Sequence, residues 1–141
     1  MQGISGKQLS RLQMVQNTAA RIITKTRRTM HISPVLKKLH WLPIKARIQF
    51  KLLCFAYRSL HNTCPDYLKD LLTPYEPVRQ LRSSDSNLLT VPSYRLKSFG
   101  FRAFSHIVPV LWNALPSELR LPPTFATFRS QLKTYLFVNN I

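Results

Sequence analysis

Asp66, Asp70, Glu76, Asp85 and Glu118 are all the carboxylates this 141-residue chain holds. Metal-dependent phosphoryl transfer needs carboxylates that converge on shared cations. Asp66 and Asp70 stand four apart and can share a helix face, but Lys69 is adjacent and no third ligand is near in sequence. The pair reads as surface. A zinc site from Cys54, His61, Cys64 and a distant His matches none of the compact ligand spacings. The two cysteines read instead as buried structural residues, and an intracellular, reduced protein is the plain reading. With three glycines in the chain, no phosphate-cradling loop or nucleophile-presenting turn is in view. His31, His40, His61 and His106 read as helix-end or loop residues, with His61 suited to a helix C-terminus. The expectation is therefore no catalytic residue, no metal, no cofactor, and no enzymatic activity of the chain on its own.

The cations carry the stronger signal. Twenty-one Lys and Arg leave a net charge of +16. Twelve of them precede Asp66, and no anion occurs among those sixty-five residues. A cation run is ordinarily a solvated helix face, but a solvated face does not need so long a stretch without one compensating acid. Self-repulsion on this scale is relieved by a polyanion. RNA or DNA is the first candidate and an anionic membrane surface the second. The candidate phosphate contacts are Arg21, Lys25, Arg27, Arg28, Lys37, Lys38, Lys45, Arg47, Lys51 and Arg58. Arg27-Arg28 and Lys37-Lys38 stand out because they sit at breaks, where side chains reach outward. Trp41, Tyr57 and Tyr94 are candidates for stacking on bases, although each reads equally well as a core or rim aromatic. Six phosphate contacts would give a log K against log salt slope of about −4 to −5.

The elements that must carry these residues are helices separated by prolines. Over residues 7–24, Leu9, Leu12, Val15, Ala19, Ile22 and Ile23 share one face, with Gln13, Gln16, Asn17 and Arg21 turned elsewhere. Ser33-Pro34 signals a short helix to 39, with Ser33 as cap. Ile44, Ile48, Leu52, Phe55, Ala56 and Leu60 fit one helix over 44–61, with Lys45, Arg47, Lys51 and Arg58 along its solvent side. A short helix opens at Asp66 and stops at Pro74. Residues 83–87 signal a loop, and 88–91 read as an extended segment that pairs with 94–97. A helix over 101–115 contains Pro109, which should kink or split it. Pro116 and Pro122-Pro123 mark a linker, and Thr124 caps a last amphipathic helix. The fold expected is mainly α: a single small domain of about five to six helices, with a long irregular segment or short hairpin around 75–98. Within it, 1–6 are disordered, 7–73 form a basic helical half, 74–100 loop and short strands, and 101–137 a second helical half. No apolar run approaches the roughly 18 residues of a membrane span, and Met1 to Gly6 lack a secretory layout.

Several of these segments resemble a known family. Leu12-Gln13-Met14-Val15-Gln16-Asn17 with Ala19-Ala20-Arg21 is similar to the region after the polymerase core in LINE-type retrotransposon reverse transcriptases of the jockey-like branch. So are His40-Trp41-Leu42-Pro43, Arg47-Ile48, Pro65 with Tyr67-Leu68, and Lys97-Ser98-Phe99-Gly100 with Arg102-Ala103-Phe104. Leu111-Trp112-Asn113-Ala114-Leu115-Pro116 and Phe128 with Leu132-Lys133 match the end of that tail. Each motif alone is weak; their order and spacing from about Arg11 to Phe137 are fairly specific. The family's parent protein joins an endonuclease to an RNA-directed DNA polymerase whose catalytic Asp-Asp motif is absent here, so no catalytic residue carries over. Phe101 departs from the acidic residue expected after the Gly, and the Cys/His knuckle that ends some related elements is missing. The resemblance implies a C-terminal fragment lacking the polymerase and endonuclease domains. It would help to hold RNA and/or DNA beside the upstream polymerase domain, in the nucleus and/or cytoplasm. A scaffold that packs on the polymerase without touching nucleic acid, and a remnant of a degenerate element, are the alternatives.

Overall fold

The computed structural model describes residues 5–76, 87–93 and 103–140. Within them the chain is mainly helical, as expected, with seven helices: α1 (Gly6–Thr24), α2 (Ile32–Lys38), α3 (Ile44–Leu60), α4 (Asp66–Lys69), α5 (Phe104–Asn113), α6 (Ser117–Arg120) and α7 (Phe125–Asn140). Ser5 and Gln8 form a reciprocal capping box that starts α1 at Gly6, so helical order reaches into the segment expected to be disordered. Such a box satisfies two amides that the first turn would otherwise leave open. The cap of α2 is His31 rather than Ser33: the His31 ring Nδ1 accepts the Ser33 amide at 3.4 Å. Pro34 then stands third in the helix, still in the first turn where no intrahelical N–H is needed. Pro109 does not split α5, which runs unbroken from Phe104 to Asn113 with the proline buried inside it. The supposed linker after Pro116 contains the single turn of α6. Thr124 caps α7 as its position suggested, accepting the Thr127 amide at 3.2 Å.

The main core lies where α3 packs on α5 and α7. Leu53, Trp112, Phe128 and Leu132 are fully enclosed there. The Tyr57 ring stacks on Phe128 at 4.5 Å, and Trp112 meets the same ring at 5.8 Å. An extended segment closes one side. Residues 88–91 do pair, but with Thr73–Tyr75: the Tyr75 amide donates to Leu88 and the Thr90 amide to Thr73, both at 2.9 Å. The expected partners, 94–97, lie outside the described residues. Asn113 explains why this segment stays put. Its side chain accepts from the Leu89 amide at 2.9 Å and donates to the Leu89 carbonyl at 2.8 Å, acting as one more strand residue. The Trp112 indole N–H adds a 2.7 Å bond to the Asn87 carbonyl.

The first helix corrects the sequence reading. The apolar stripe of α1 faces out: Val15 is 68% and Ile22 72% exposed, with Leu12 and Ile23 also exposed. The side turned inward carries Gln16, only 7% exposed, and fully buried Ala20. The reason is polar. Gln16 Nε2 donates to the Leu42 carbonyl at 2.8 Å, and Gln13 Oε1 accepts the Ile44 amide at 2.9 Å. Ile44 opens α3 after a Pro43 cap that has no side-chain acceptor, so a glutamine from α1 supplies one. Gln13 Nε2 also bonds to Gln16 Oε1 and Asn17 Oδ1, fixing both amides. Ala20 meets Val35 and Leu36 of α2 in a small second cluster, with Ile32, Leu39 and Trp41 at its edge.

Candidate nucleic-acid interface

Orienting α1 by its amides decides where its cations go. At about 100° per residue, Asn17 and Arg21 lie beside the inward face, opposite Leu12 and Ile23, and Lys25 follows in the turn that ends the helix. They border an open groove of about 1110 Å³ that runs along α1 and reaches the start of α3. Arg21, Lys25, Arg28 and Lys45 line it, with Gln13, Asn17 and Thr18 among its polar groups. Four of the ten expected phosphate contacts are therefore brought to one concave surface.

The turn after α1 makes this possible. Lys25 takes the left-handed conformation, φ 52°, and its amide caps the Arg21 and Ile22 carbonyls. The Thr26 amide adds a 3.0 Å bond to the Arg21 carbonyl, and the Met30 amide closes a further turn on Arg27. The Arg21 guanidinium holds the far end of this loop, Nη2 donating to the Met30 carbonyl at 3.1 Å. Its Nε is buried without an acceptor, a cost of about 1–3 kcal/mol for an orphaned donor. Left-handed backbone is normally left to Gly or Asn at a helix end. Here that strain places Lys25 and Arg28 on the groove.

The other six candidates are not in the groove. Arg27 is exposed on the turn but does not line it. Lys37 and Lys38 are exposed in the last turn of α2, where they complement the helix dipole. Arg47, Lys51 and Arg58 lie exposed along α3. They stand on a different side from Lys45, which the sequence reading had grouped with them. No family model, curated protein or solved structure matches the chain. What the groove can do thus rests on its own chemistry: four cations and the amides of Gln13 and Asn17 set around a trough whose lining also includes Leu9, Met14, Ile22 and Ile44.

Of the stacking candidates, Tyr57 is withdrawn. It is buried in the main core, where its hydroxyl donates to the Pro122 carbonyl at 2.9 Å and burial raises its pKa. Trp41 is half-buried at the edge of the small cluster, and Tyr94 lies outside the described residues. Cys54 and Cys64 are free thiols and only half-buried, less enclosed than expected. Cys64 Sγ lies 3.1 Å from Ser59 Oγ. The Cys54 pKa is raised because burial outweighs the opposing influence of Arg129, Lys51 and Arg58. Asp66 opens α4, and the Asp70 amide caps the same turn by bonding to the Asp66 carbonyl at 3.0 Å. His61 caps α3, as its position suggested. The cation that sequence reasoning missed is Arg129, from the half of the chain where acids offset the bases. Its spacing of four from Phe125 on one helix was the available signal.

Proposed function

We propose that this chain is an accessory, non-catalytic nucleic-acid-binding tail of a retrotransposon RNA-directed DNA polymerase. The observation that carries the binding is the convergence of Arg21, Lys25, Arg28 and Lys45 on one open groove with an amide-rich wall. Such a site grips the backbone and leaves sequence largely unread, because phosphate contacts position without specifying. The retrotransposon context rests on the ordered motifs from Leu12 to Lys133, and an intracellular setting goes with it. An anisotropy titration of a labelled RNA or DNA oligonucleotide at several salt concentrations tests the binding. Replacing all four groove cations by Gln should lower the salt slope by about 3 units, at ~0.7–0.9 per contact. Affinity that ignores salt overturns the reading.

A second reading has its own observation. The exposed ridge of Leu12, Val15, Ile22 and Ile23 on α1 supports a scaffold that docks on the upstream polymerase domain. Contiguous exposed apolar surface of this kind marks interaction sites. Ile22 also lines the groove, whereas Leu12, Val15 and Ile23 stand off it, so Val15→Ser/Ile23→Ser should improve the solubility of the free chain without altering its salt slope. A double variant that loses oligonucleotide binding would refute that separation.

A further inference from the structure

The cations left out of the groove form a pattern of their own. On α3, Arg47, Lys51 and Arg58 fall within about 40° of one another when projected down the helix axis, at ~100° per residue. Lys45, which reaches the groove, points about 160° away from Arg47 by the same measure. The row runs along about 16 Å of helix at 1.5 Å per residue.

Arg129 of α7 extends this row. Its guanidinium carbon lies 5.7 Å from the Phe125 ring centre, and that of Arg58 lies 5.5 Å from the same ring. One aromatic ring thus holds two guanidinium groups in place by cation–π attraction. The charges acting on the neighbouring Cys54 thiol are those of Arg129, Lys51 and Arg58, all cations and no carboxylate. Phe55 stands on the same side of α3 between Lys51 and Arg58, and its ring is 39% exposed. An exposed aromatic among cations is the makeup of a single-strand platform, where the backbone meets charge and an unpaired base stacks.

We infer that this outer face of α3 and α7 holds a single-stranded nucleic-acid segment independently of the α1 groove, so that one copy of the chain bridges two segments. The inference rests on the nucleic-acid reading of the groove and adds a second site, with Arg47, Lys51, Arg58 and Arg129 on phosphates and Phe55 under a base.

The test is a bridging assay. The full chain is bound to an immobilised oligothymidylate of about twelve residues, within the span a small single-strand site covers. A second, labelled oligothymidylate is then added and its retention measured. The chain should retain the second strand. The Lys51→Gln/Arg58→Gln/Arg129→Gln variant should still bind the immobilised strand but retain about tenfold less of the second, as expected when several phosphate contacts are lost. Phe55→Ala should lower retention several-fold, and Arg58→Lys/Arg129→Lys should restore most of it. A dimer bridging through two grooves would be indifferent to these substitutions, so equal retention by the triple variant overturns the inference.

A chain that binds one strand and never a second overturns the inference and leaves the groove reading standing. A chain that binds neither strand at low salt removes both. A readout free of charge changes uses Cys54. In a Cys64→Ser chain, saturating oligothymidylate should slow maleimide labelling of Cys54 several-fold. Unchanged labelling in a chain that binds both strands overturns the placement on this face.

Discussion

The two ends of α3 belong to differently built regions. Toward its C-terminal end, α3, α5 and α7 enclose Trp112, Phe128, Leu53 and Leu132 in a continuous apolar core. Toward its N-terminal end, the buried apolar contacts between α1 and α2 among the described residues are Ala20, Val35 and Leu36. There, α1 is tied to the start of α3 by glutamine hydrogen bonds. The first region is held by area removed from water, the second largely by a few directed bonds with its apolar surface left outside. The groove cations come mostly from the second region.

Phe128→Ala breaks the stronger side of this comparison. The ring is fully buried between Tyr57 and Trp112, and truncation there should cost about 3–5 kcal/mol. Urea denaturation followed by circular dichroism should show the whole chain losing its helices at a lower midpoint. Leu36→Ala addresses the weaker side, at about 2–4 kcal/mol for a buried leucine, and its effect should stay local. Hydrogen exchange read by mass spectrometry should show α1 and α2 losing protection while α3, α5 and α7 keep theirs, as separate cooperative units do. Uniform loss across all helices would show that the two regions are one.

Much of this division could be read from the sequence, and the part that could not has a physical cause. Helix positions followed from periodicity and prolines, and α1, α3 and α7 fall close to where they were expected. Periodicity says which residues share a face; it does not say which face turns inward. For α7, the stripe of Phe128, Leu132 and Leu136 is buried. For α1, the corresponding stripe is exposed, because Gln13 and Gln16 have partners in the 42–44 segment that no local pattern displays. The cation candidates were legible from charge alone. Their sorting into groove and outer face was not, since it depends on the left-handed Lys25 turn and on Arg129 arriving from a distant helix. Asn113 was visible only as a motif residue, and its role appears once Leu89 lies beside it.

Gln16→Ala tests whether polar bonds hold α1 in place. It strands the buried Leu42 carbonyl and frees Gln13 from one of its partners, a loss of about 1–3 kcal/mol. α1 should become protease-sensitive ahead of α3 and α7. If α1 keeps its protection, the apolar contacts of Ala20 suffice and the contrast between the regions narrows. A smaller effect belongs to the main core. Tyr57→Phe removes the bond to the Pro122 carbonyl, worth about 0.5–1.5 kcal/mol. Because burial raises the Tyr57 pKa, the native state favours the neutral phenol. That stability is present in full below the unfolded tyrosine value near 10 and is lost as pH rises through the folded one. The Phe variant should lose less stability than the parent chain as pH rises above about 10. Parallel pH curves would count against this assignment.

The smallest expected change is the one that separates stability from binding. Lys25 holds φ 52° at the end of α1, a conformation Gly adopts without its side-chain penalty. Lys25→Gly should relieve that strain, offset in part by the greater freedom of Gly in the unfolded chain, for a net gain of up to about 1 kcal/mol. The same substitution removes one groove cation and should reduce the salt slope of oligonucleotide binding by about 0.7–0.9. Thermal unfolding and the salt titration then move in opposite directions. A lysine that meets no phosphate would give a change in stability alone, with the salt slope unmoved. One kept for a phosphate gives a more stable chain that binds less well, which is the signature of strain stored at a binding surface. A Lys25→Gly chain that is less stable and keeps its full salt slope would detach this turn from the groove altogether.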